Sequence, residues 1–452
     1  MEQIVSRILS AMPENMSPEA ILSSLIRIDT VNPPGNEIRA ARWLQDLFHQ
    51  AGVDCEVLEA AGGRGNFLAW LGPDDPAAPR LLLLSHLDVV PPGSGWSRDP
   101  FSGEIKQGFV FGRGALDCKG MVASEAAAVL ALARVHRDRP LRGRLIFAAT
   151  ADEEKGGRNG IRFLLRHHRP RIAADFVVNE GAEEPLPLGR ETFYFIQTGE
   201  KGLAWSTLRS RGASAHGSLP VLGSNAILTM SRALTRIGSY RPEVVLVPEV
   251  HHLLKTLADR RGWPEPLTPN SLDRFLATWG DRSFAASLQA MTRLTISPNV
   301  IKGGIKTNIV PDLCEVETDI RVLPGQDQSY ALGQLRQCVG NRIEIDMPHF
   351  HPSSFSPADT VYYRIIEEAI SQTCSGDRSG QRVSILPMLS PGATDSRWLR
   401  QAGFLCYGVA VLAPDFPKEL GATIHGADER IDVRSLHCFT RFFIALAHNY
   451  LS

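Results

Sequence analysis

The residues with the chemistry to do something in this chain stand directly after apolar runs. His86 and Asp88 close "RLLLLSHLD", Asp152, Glu153 and Glu154 close "GRLIFAATADEE", and Asn179 and Glu180 close "ADFVVNEG". His425 follows a fourth run in "TIHGADERID", and Asp117 lies in the Gly-rich "GRGALDCKG" just before a helical stretch. Open α/β sheets bind ligands beyond the carboxyl ends of their strands, so these places are expected to converge. Converging carboxylates repel and are costly to desolvate unless something cationic neutralises them, and a metal ion is the economical answer. Imidazole and carboxylate donors without thiolate suit zinc, and also manganese or cobalt. Two divalent cations bring +4 against the −3 of Asp117, Glu154 and Glu180, which leaves a net positive centre able to polarise a carbonyl and acidify water. That favours two ions about 3.5 to 4 Å apart. His86 would bind metal while Asp88, two residues on, orients the imidazole from behind.

The elements that must position these residues read as an α/β pattern. Short apolar runs alternate with helical stretches through the first 180 residues, including the Ala- and Leu-rich "GMVASEAAAVLALARVH", which predicts a helix packed on a sheet. The pattern returns near the end with "DTVYYRIIEEAIS", the run "FLCYGVAVL" and a last helix around "LHCFTRFFIALAHNYL". Between them, alternating stretches such as "AWSTLRSRG" and "CEVETDIRVLPG", and a helical segment over 245–293, predict a separate α+β module inserted into the first domain. The expected boundaries are 1–197 and 353–452 for the catalytic domain and 198–352 for the insert. The basic stretch "RNGIRFLLRHHRPR" reads as a solvated amphipathic helix.

With 452 residues, 43% hydrophobic and 21% charged, the chain has the composition of a two-domain globular protein. A formal net charge of −1 gives no reason to expect a nucleic-acid or membrane partner. The opening "MEQIVSRILSAMPENMSPEA" lacks the features of an export signal, and no apolar run reaches membrane-spanning length, so the cytoplasm is the expected compartment. Seven scattered cysteines, never arranged as CxxC, argue against a disulfide framework and a thiolate zinc site.

Taken in order, "SHLDVVP", "GRGALDCKG", "ADEEKGG", "NEG", "GASAHGSLP", "NIVPDLCEVETDIRVLPG", "GATDSR" and "HGADERI" resemble the motifs of the co-catalytic dinuclear zinc peptidases and deacylases. That family includes aminoacylase, acetylornithine deacetylase, succinyl-diaminopimelate desuccinylase, carnosinase and glutamate carboxypeptidase, and the resemblance spans nearly the whole chain. It implies a zinc-peptidase-like catalytic domain with a mixed, largely parallel sheet flanked by helices, plus an inserted α+β lid and dimerisation domain. It implies two Zn2+, replaceable by Co2+ or Mn2+, with Asp117 bridging, His86 and Glu180 on one ion and Glu154 and His425 on the other. Glu153 takes the place of the general base and Asp88 that of the histidine's outer partner. On the lid, His216 matches a histidine that stabilises the tetrahedral intermediate in a neighbouring site. Asn308 and Arg321 match substrate contacts, Arg321 suiting a carboxylate because its planar fork donates two parallel hydrogen bonds. Gly392, Ala393 and Thr394 fall in the substrate loop. Taken alone, His216 also reads as a polar turn residue and Arg321 as a strand-end salt bridge.

Departures from the family pattern are Cys118 after the bridging aspartate, at a junction that is usually cis in the family, Ala393 in place of a glycine, and Asp428 in place of an asparagine. The implied reaction is removal of an acyl group from N-acyl amino acids, with cleavage of short peptides bearing a free carboxylate as the alternative. A homodimer acting on a small molecule is expected. The rival chemistry, a cysteine hydrolase pairing Cys118 with His86, would need no metal.

Overall fold

The computed structural model describes Val5 and residues 13–137, 140–374 and 382–452; most of the first twelve residues, which bear on the export-signal reading, lie outside them. The chain divides into two compact units. The first comprises residues up to 198, with 356–388 and 394–452; the second comprises 199–355 and takes in the short segment 389–393. Within the second unit that segment is tied by the Lys201 N–H, which donates to the Ser390 carbonyl at 3.0 Å.

The sheet of the first unit includes, besides Glu191–Glu200 and shorter strands beyond it, β1 (Asp54–Ala61), β2 (Arg64–Leu71), β3 (Arg80–His86), β4 (Arg144–Thr150), β5 (Phe176–Asn179) and β6 (Cys406–Val409). They lie in the order β1-β2-β4-β3-β5-β6. β1, β2 and β4 pair antiparallel in turn, whereas β4, β3, β5 and β6 run parallel, so the sheet is mixed and largely parallel at its centre. The apolar runs are continuous because both faces of these strands are covered. Successive side chains point to opposite faces, and Leu81 and Leu83 join the core beneath helices α3 (Lys119–Val135) and α4 (Val433–Leu451). Leu82 and Leu84 instead join a second cluster with Ile161, Leu164 and Leu399. Burying a leucine this fully contributes about 1.5 to 3 kcal/mol, so the leucine run anchors β3 between two helical layers. The register of β3 against β4 sets His86 opposite Thr150, so the two strands end level and deliver their next residues to one edge.

Helices α1 (Pro18–Ile26) and α2 (Glu37–Gln50) complete the packing of this unit, with Ile21, Leu22, Leu44 and Phe48 fully buried. The basic stretch forms a helix only over Ile161–His167, followed by a turn of 3-10 helix at Arg169–Ile172, because Pro170 cannot continue the hydrogen-bonded ladder.

In the second unit, Thr295–Gly303, Leu313–Val322, Gly202–Arg211 and Ile343–His351 form an antiparallel four-stranded sheet in that order. The segment read as one helical stretch is three helices, Pro248–Arg260, Pro269–Ala277 and Arg282–Ala290. Each starts at a proline or a capping residue, Thr268 and Asp281 accepting the N–H of Ser271 and Phe284. All seven cysteines are free and six are buried. Among the described residues no helix is long and apolar enough to cross a membrane.

Candidate metal centre

Each chemically suited residue of the first unit reaches the same edge of the sheet by a short path. His86 is the last residue of β3, and Glu180 is the first after β5. Glu153 and Glu154 form a single 3-10 turn after β4, entered through Asp152 in the left-handed region at φ 69°. Asp117 ends the Gly-rich loop before α3, and its peptide bond to Cys118 is cis. His425 sits at φ 59° ahead of the strand Arg430–Asp432.

The geometry centres on Asp117. Its Oδ1 lies 3.0 Å from His86 Nε2 and its Oδ2 lies 3.0 Å from His425 Nε2. Glu180 Oε1 stands 3.5 Å from the same His86 nitrogen, and Glu154 Oε1 stands 3.4 Å from that of His425. Each imidazole therefore faces one glutamate, with Asp117 between them. Donor atoms of His86, Asp117 and Glu154 all lie within 4.8 Å of one another, as do those of His86, Cys118 and Glu180. His86 is buried, while the His425 side chain is 50% exposed, so solvent reaches the cluster from the His425 side.

Electrostatics strain this arrangement. Burial pushes the Glu180 carboxyl up to about 8, with Asp117 and Glu154 adding to the rise. Burial and the repulsion of Glu180 push Glu153 well up. His425 is pushed up to about 10 by Asp117 and Glu154, and His86 rises well above its ordinary value because Glu180 and its neighbours overcome the effect of burial. A carboxylate cluster of this kind calls for positive charge beside it. Divalent ions would take that place, since metal ligation requires neutral imidazole and ionised carboxylate. Glu154 Oε1 is buried and, apart from the His425 nitrogen at 3.4 Å, has no hydrogen-bond partner, as a carboxylate oxygen aimed at a cation would be. The donor set therefore fits a pair of divalent metals.

Asp88 is fully buried beside His86. His86 Nδ1 lies 2.9 Å from the Asp88 backbone carbonyl and 3.5 Å from its carboxylate. The same carboxylate also faces the next loop. There it accepts the N–H of Glu153 at 3.0 Å and of Glu154 at 3.2 Å.

Several residues of this site were not singled out in the sequence. Asn32 donates to Asp88 at 2.8 Å and to Asp152 at 3.1 Å, and Arg64 donates to Asp152 at 2.9 Å and to the Glu37 carboxylate at 2.6 and 2.7 Å. Asp395 is buried, accepts from Thr150 at 3.3 Å and is pushed up to about 7 by burial. Their polarity inside buried surroundings is the signal, and it appears only when burial is known. Asp428, noted as a departure, stands at φ 56°, a backbone region that Asn and Asp tolerate, and accepts the Ser97 N–H at 2.8 Å.

Cys118 is fully buried and burial pushes its thiol well up, while both His86 ring nitrogens are engaged by Asp117 and Asp88. That is a poor setting for a thiolate nucleophile. Thr394 Oγ accepts from Asn179 at 3.3 Å and from the Ser396 N–H at 3.1 Å.

The other residues predicted from the sequence belong to the second unit. His216 pairs with Ile309 on a short two-stranded ribbon, and its Nδ1 lies 2.7 Å from Ser218 Oγ. Asn308 accepts the Gly217 N–H through its carbonyl at 2.8 Å, which puts it beside His216. The Arg321 fork is engaged by Asp319, at 2.8 and 3.0 Å. Gly392 donates its N–H to Ser390 Oγ at 3.1 Å, and Ala393 is the last residue of the segment assigned to this unit.

Comparison with known proteins places this geometry in context. Residues 82–449 match the model of peptidase family M20/M25/M40. The chain is 37% identical over 455 residues to a succinyl-diaminopimelate desuccinylase of Methylobacterium sp. (strain 4-46), covering 97% of each chain. It is 27% identical over 392 residues to the human N-fatty-acyl-amino acid synthase/hydrolase PM20D1, covering 83% of this chain and 75% of that one. In fold it is similar to the M20 family metallo-carboxypeptidase Sso-CP2 from Sulfolobus solfataricus, with a TM-score of 0.72 at 19% identity over 97% of this chain and 99% of that one. The chain belongs to peptidase family M20/M25/M40 and is an enzyme acting on amide bonds.

Proposed function

We propose that this protein is a dinuclear metal-dependent hydrolase that removes the acyl group from N-acyl amino acids. The observation that carries the reading is the pairing around Asp117: His86 with Glu180 on one side, His425 with Glu154 on the other. In this reading His86, Asp117 and Glu180 hold one ion and Asp117, Glu154 and His425 the other, zinc being favoured by the nitrogen and oxygen donors. Metal ions bound there would lower the pKa of a water toward about 7 and polarise the scissile carbonyl.

The chain's own residues supply the proton handling. Glu153, whose carboxyl is pushed up by burial and by Glu180, takes the proton of the attacking water. As the water oxygen bonds to the carbonyl carbon and the carbon–nitrogen bond breaks, Glu153 returns that proton to the leaving amine, a transfer typically worth about 100- to 10,000-fold. Asp88 holds Glu153 in place through its backbone N–H. His216, Asn308, Arg321 and the loop Gly392, Ala393 and Thr394 are assigned to the substrate on the resemblance of their motifs.

The acyl preference is supported by two relatives named for N-acyl amino acid substrates. A homodimer is proposed on the resemblance, and the exposed Ile227, Leu228, Val300 and Ile301 of the second unit are consistent with one. The decisive experiment loads the protein with zinc and offers N-acetyl, N-succinyl and long-chain N-acyl amino acids beside dipeptides. Turnover confined to dipeptides would replace the acylase reading with a peptidase one. Glu153→Gln should retain both ions and lose turnover, and an active variant would remove Glu153 from the mechanism.

A further inference from the structure

The buried pair Arg113 and Glu429 neither ligates metal nor moves a proton in the proposed reaction, yet it connects two of the loops that supply the ligands. Glu429 is wholly buried and Arg113 is 1% exposed. Their ion pair lies at the head of a ribbon in which Arg430–Asp432 runs antiparallel to Phe109–Phe111. The loop carrying Asp117 leaves one strand of this ribbon, and the loop carrying His425 enters the other. The strands fix the base of the two loops but not their tips.

Glu429 fixes the tips. Its Oε1 accepts the Leu116 N–H at 2.8 Å and the Asp117 N–H at 3.2 Å, while Oε2 accepts the Gly114 N–H at 3.1 Å and Arg113 Nη1. Arg113 Nη2 in turn donates to the Gly426 carbonyl at 2.9 Å, next to His425, and to the Pro92 carbonyl at 3.3 Å. The Gly112 N–H closes the connection on the Glu429 carbonyl at 2.9 Å. One carboxylate thus gathers the backbone of three residues around Asp117, and its guanidinium partner holds the residue after His425.

We propose that Glu429, acting with Arg113, is a positioning residue that fixes Asp117 against His425 and so sets the affinity of the ion those two side chains share. The proposal rests on the two-ion reading of the site. A buried ion pair is seldom the cheapest way to fill a core, because desolvation offsets much of the attraction. Its value here is geometric, since hydrogen-bonded partners behind metal ligands fix their orientation. The consequence is asymmetric. His86 and Glu180 stand at the ends of β3 and β5, which are held by the sheet itself, Leu83 opposite Val178, and need no clamp. Losing the carboxylate should loosen the ion of His425, both of whose loops it ties, more than the ion that Asp117 shares with the strand-held His86 and Glu180.

The test is zinc titration of the full-length protein in competition with a chromophoric chelator, comparing wild type with Glu429→Gln. The amide keeps the shape but removes the charge and turns a donor toward backbone N–H groups. The expected result is two tight ions in wild type, and in the variant one ion weakened by about 10- to 100-fold and the other distinctly less. Asp273→Asn, which breaks the Arg293 pair of the second unit, serves as a control for lost stability and should keep both affinities. If Glu429→Gln does not fold, Arg113→Lys, which keeps the charge and loses the bond to Gly426, is measured in the same way. Two ions bound with wild-type affinities, or both weakened equally, would overturn the clamp while leaving the two-ion reading intact. A wild-type protein that takes up no divalent ion would overturn both.

Discussion

The Asp88 carboxylate accepts the backbone N–H of Glu153 at 3.0 Å, so a residue at the end of one strand holds the main chain of the turn that ends the next. A second bond reaches the Glu154 N–H, and Asn32 donates from the other side. Asp88→Asn would turn an amide donor toward one of these N–H groups. Because the change spares every proposed ligand, metal content should be kept while kcat falls by about 10- to 100-fold with little change in KM. Wild-type kcat in this variant, measured under saturating zinc, would show that the turn needs no such tether.

Chelation and thiol modification should separate the two chemistries considered from the sequence. Dialysis against a strong chelator is expected to abolish turnover, and zinc, cobalt or manganese to restore it. Iodoacetamide is expected to leave turnover unchanged in the folded protein, because Cys118 is fully buried and burial pushes its thiol well up. Inactivation by alkylation of Cys118, with activity surviving chelation, would reverse the assignment.

Removing Arg64 should be costly. Its guanidinium is the cation shared by the buried Glu37 and Asp152, and stripping one partner from such a group typically costs about 3 to 5 kcal/mol. Urea denaturation of Arg64→Met should show a loss of that order. Adding Glu37→Leu should recover part of it, because one stranded carboxylate is then gone. A loss under about 1 kcal/mol, the scale of an exposed pair, would mean that water or rearrangement replaces the arginine.

Lys201 gives the second unit a pH dependence of definite sign. Burial, aided by the nearby Arg321, pushes its ammonium down from 10.5 to about 7. Its Nζ donates to the carbonyls of Ala290 and Arg293 at 2.9 and 2.7 Å. Between about pH 7 and 10.5 the unfolded chain holds a proton there that the folded chain lacks, so stability rises with pH across that window. Below about pH 7 both states are protonated, and the penalty for burying the charge is constant. Measured by urea denaturation from pH 7 to 9, wild type should gain on Lys201→Met by up to about 1.4 kcal/mol per pH unit. A difference between the two proteins that stays flat over this range would contradict the shift.

Much of this protein could be read before its coordinates, and the parts that could share a physical origin. The leucine run of β3 and the apolar runs of β4 and β5 are local patterns, because a strand covered on both faces must be apolar at every position. The residues after them, His86, Glu153, Glu154 and Glu180, were legible because the edge of a parallel sheet is where such strands deliver polar groups. Asn32, Glu37, Arg64, Arg113, Asp395 and Glu429 were not. Arg113, Asp395 and Glu429 stand inside motifs quoted above, yet the local sequence does not say that any of the six is buried, and their meaning lies in being packed against partners far away in the chain.

By itself, then, the sequence determined the order of the elements, the polar residues at the strand ends and the balance of charge that calls for a cation. Only the tertiary structure decided which oxygen of Asp117 faces which imidazole, that the Asp88 carboxylate grips a loop as well as standing beside the ring, and that Glu429 lies behind the loop of Asp117. The division comes from range. Patterning and turn chemistry act between residues a few positions apart, whereas hydrogen bonds in a buried site join groups as distant in sequence as Leu116 and Glu429, and only packing brings them within 2.8 Å.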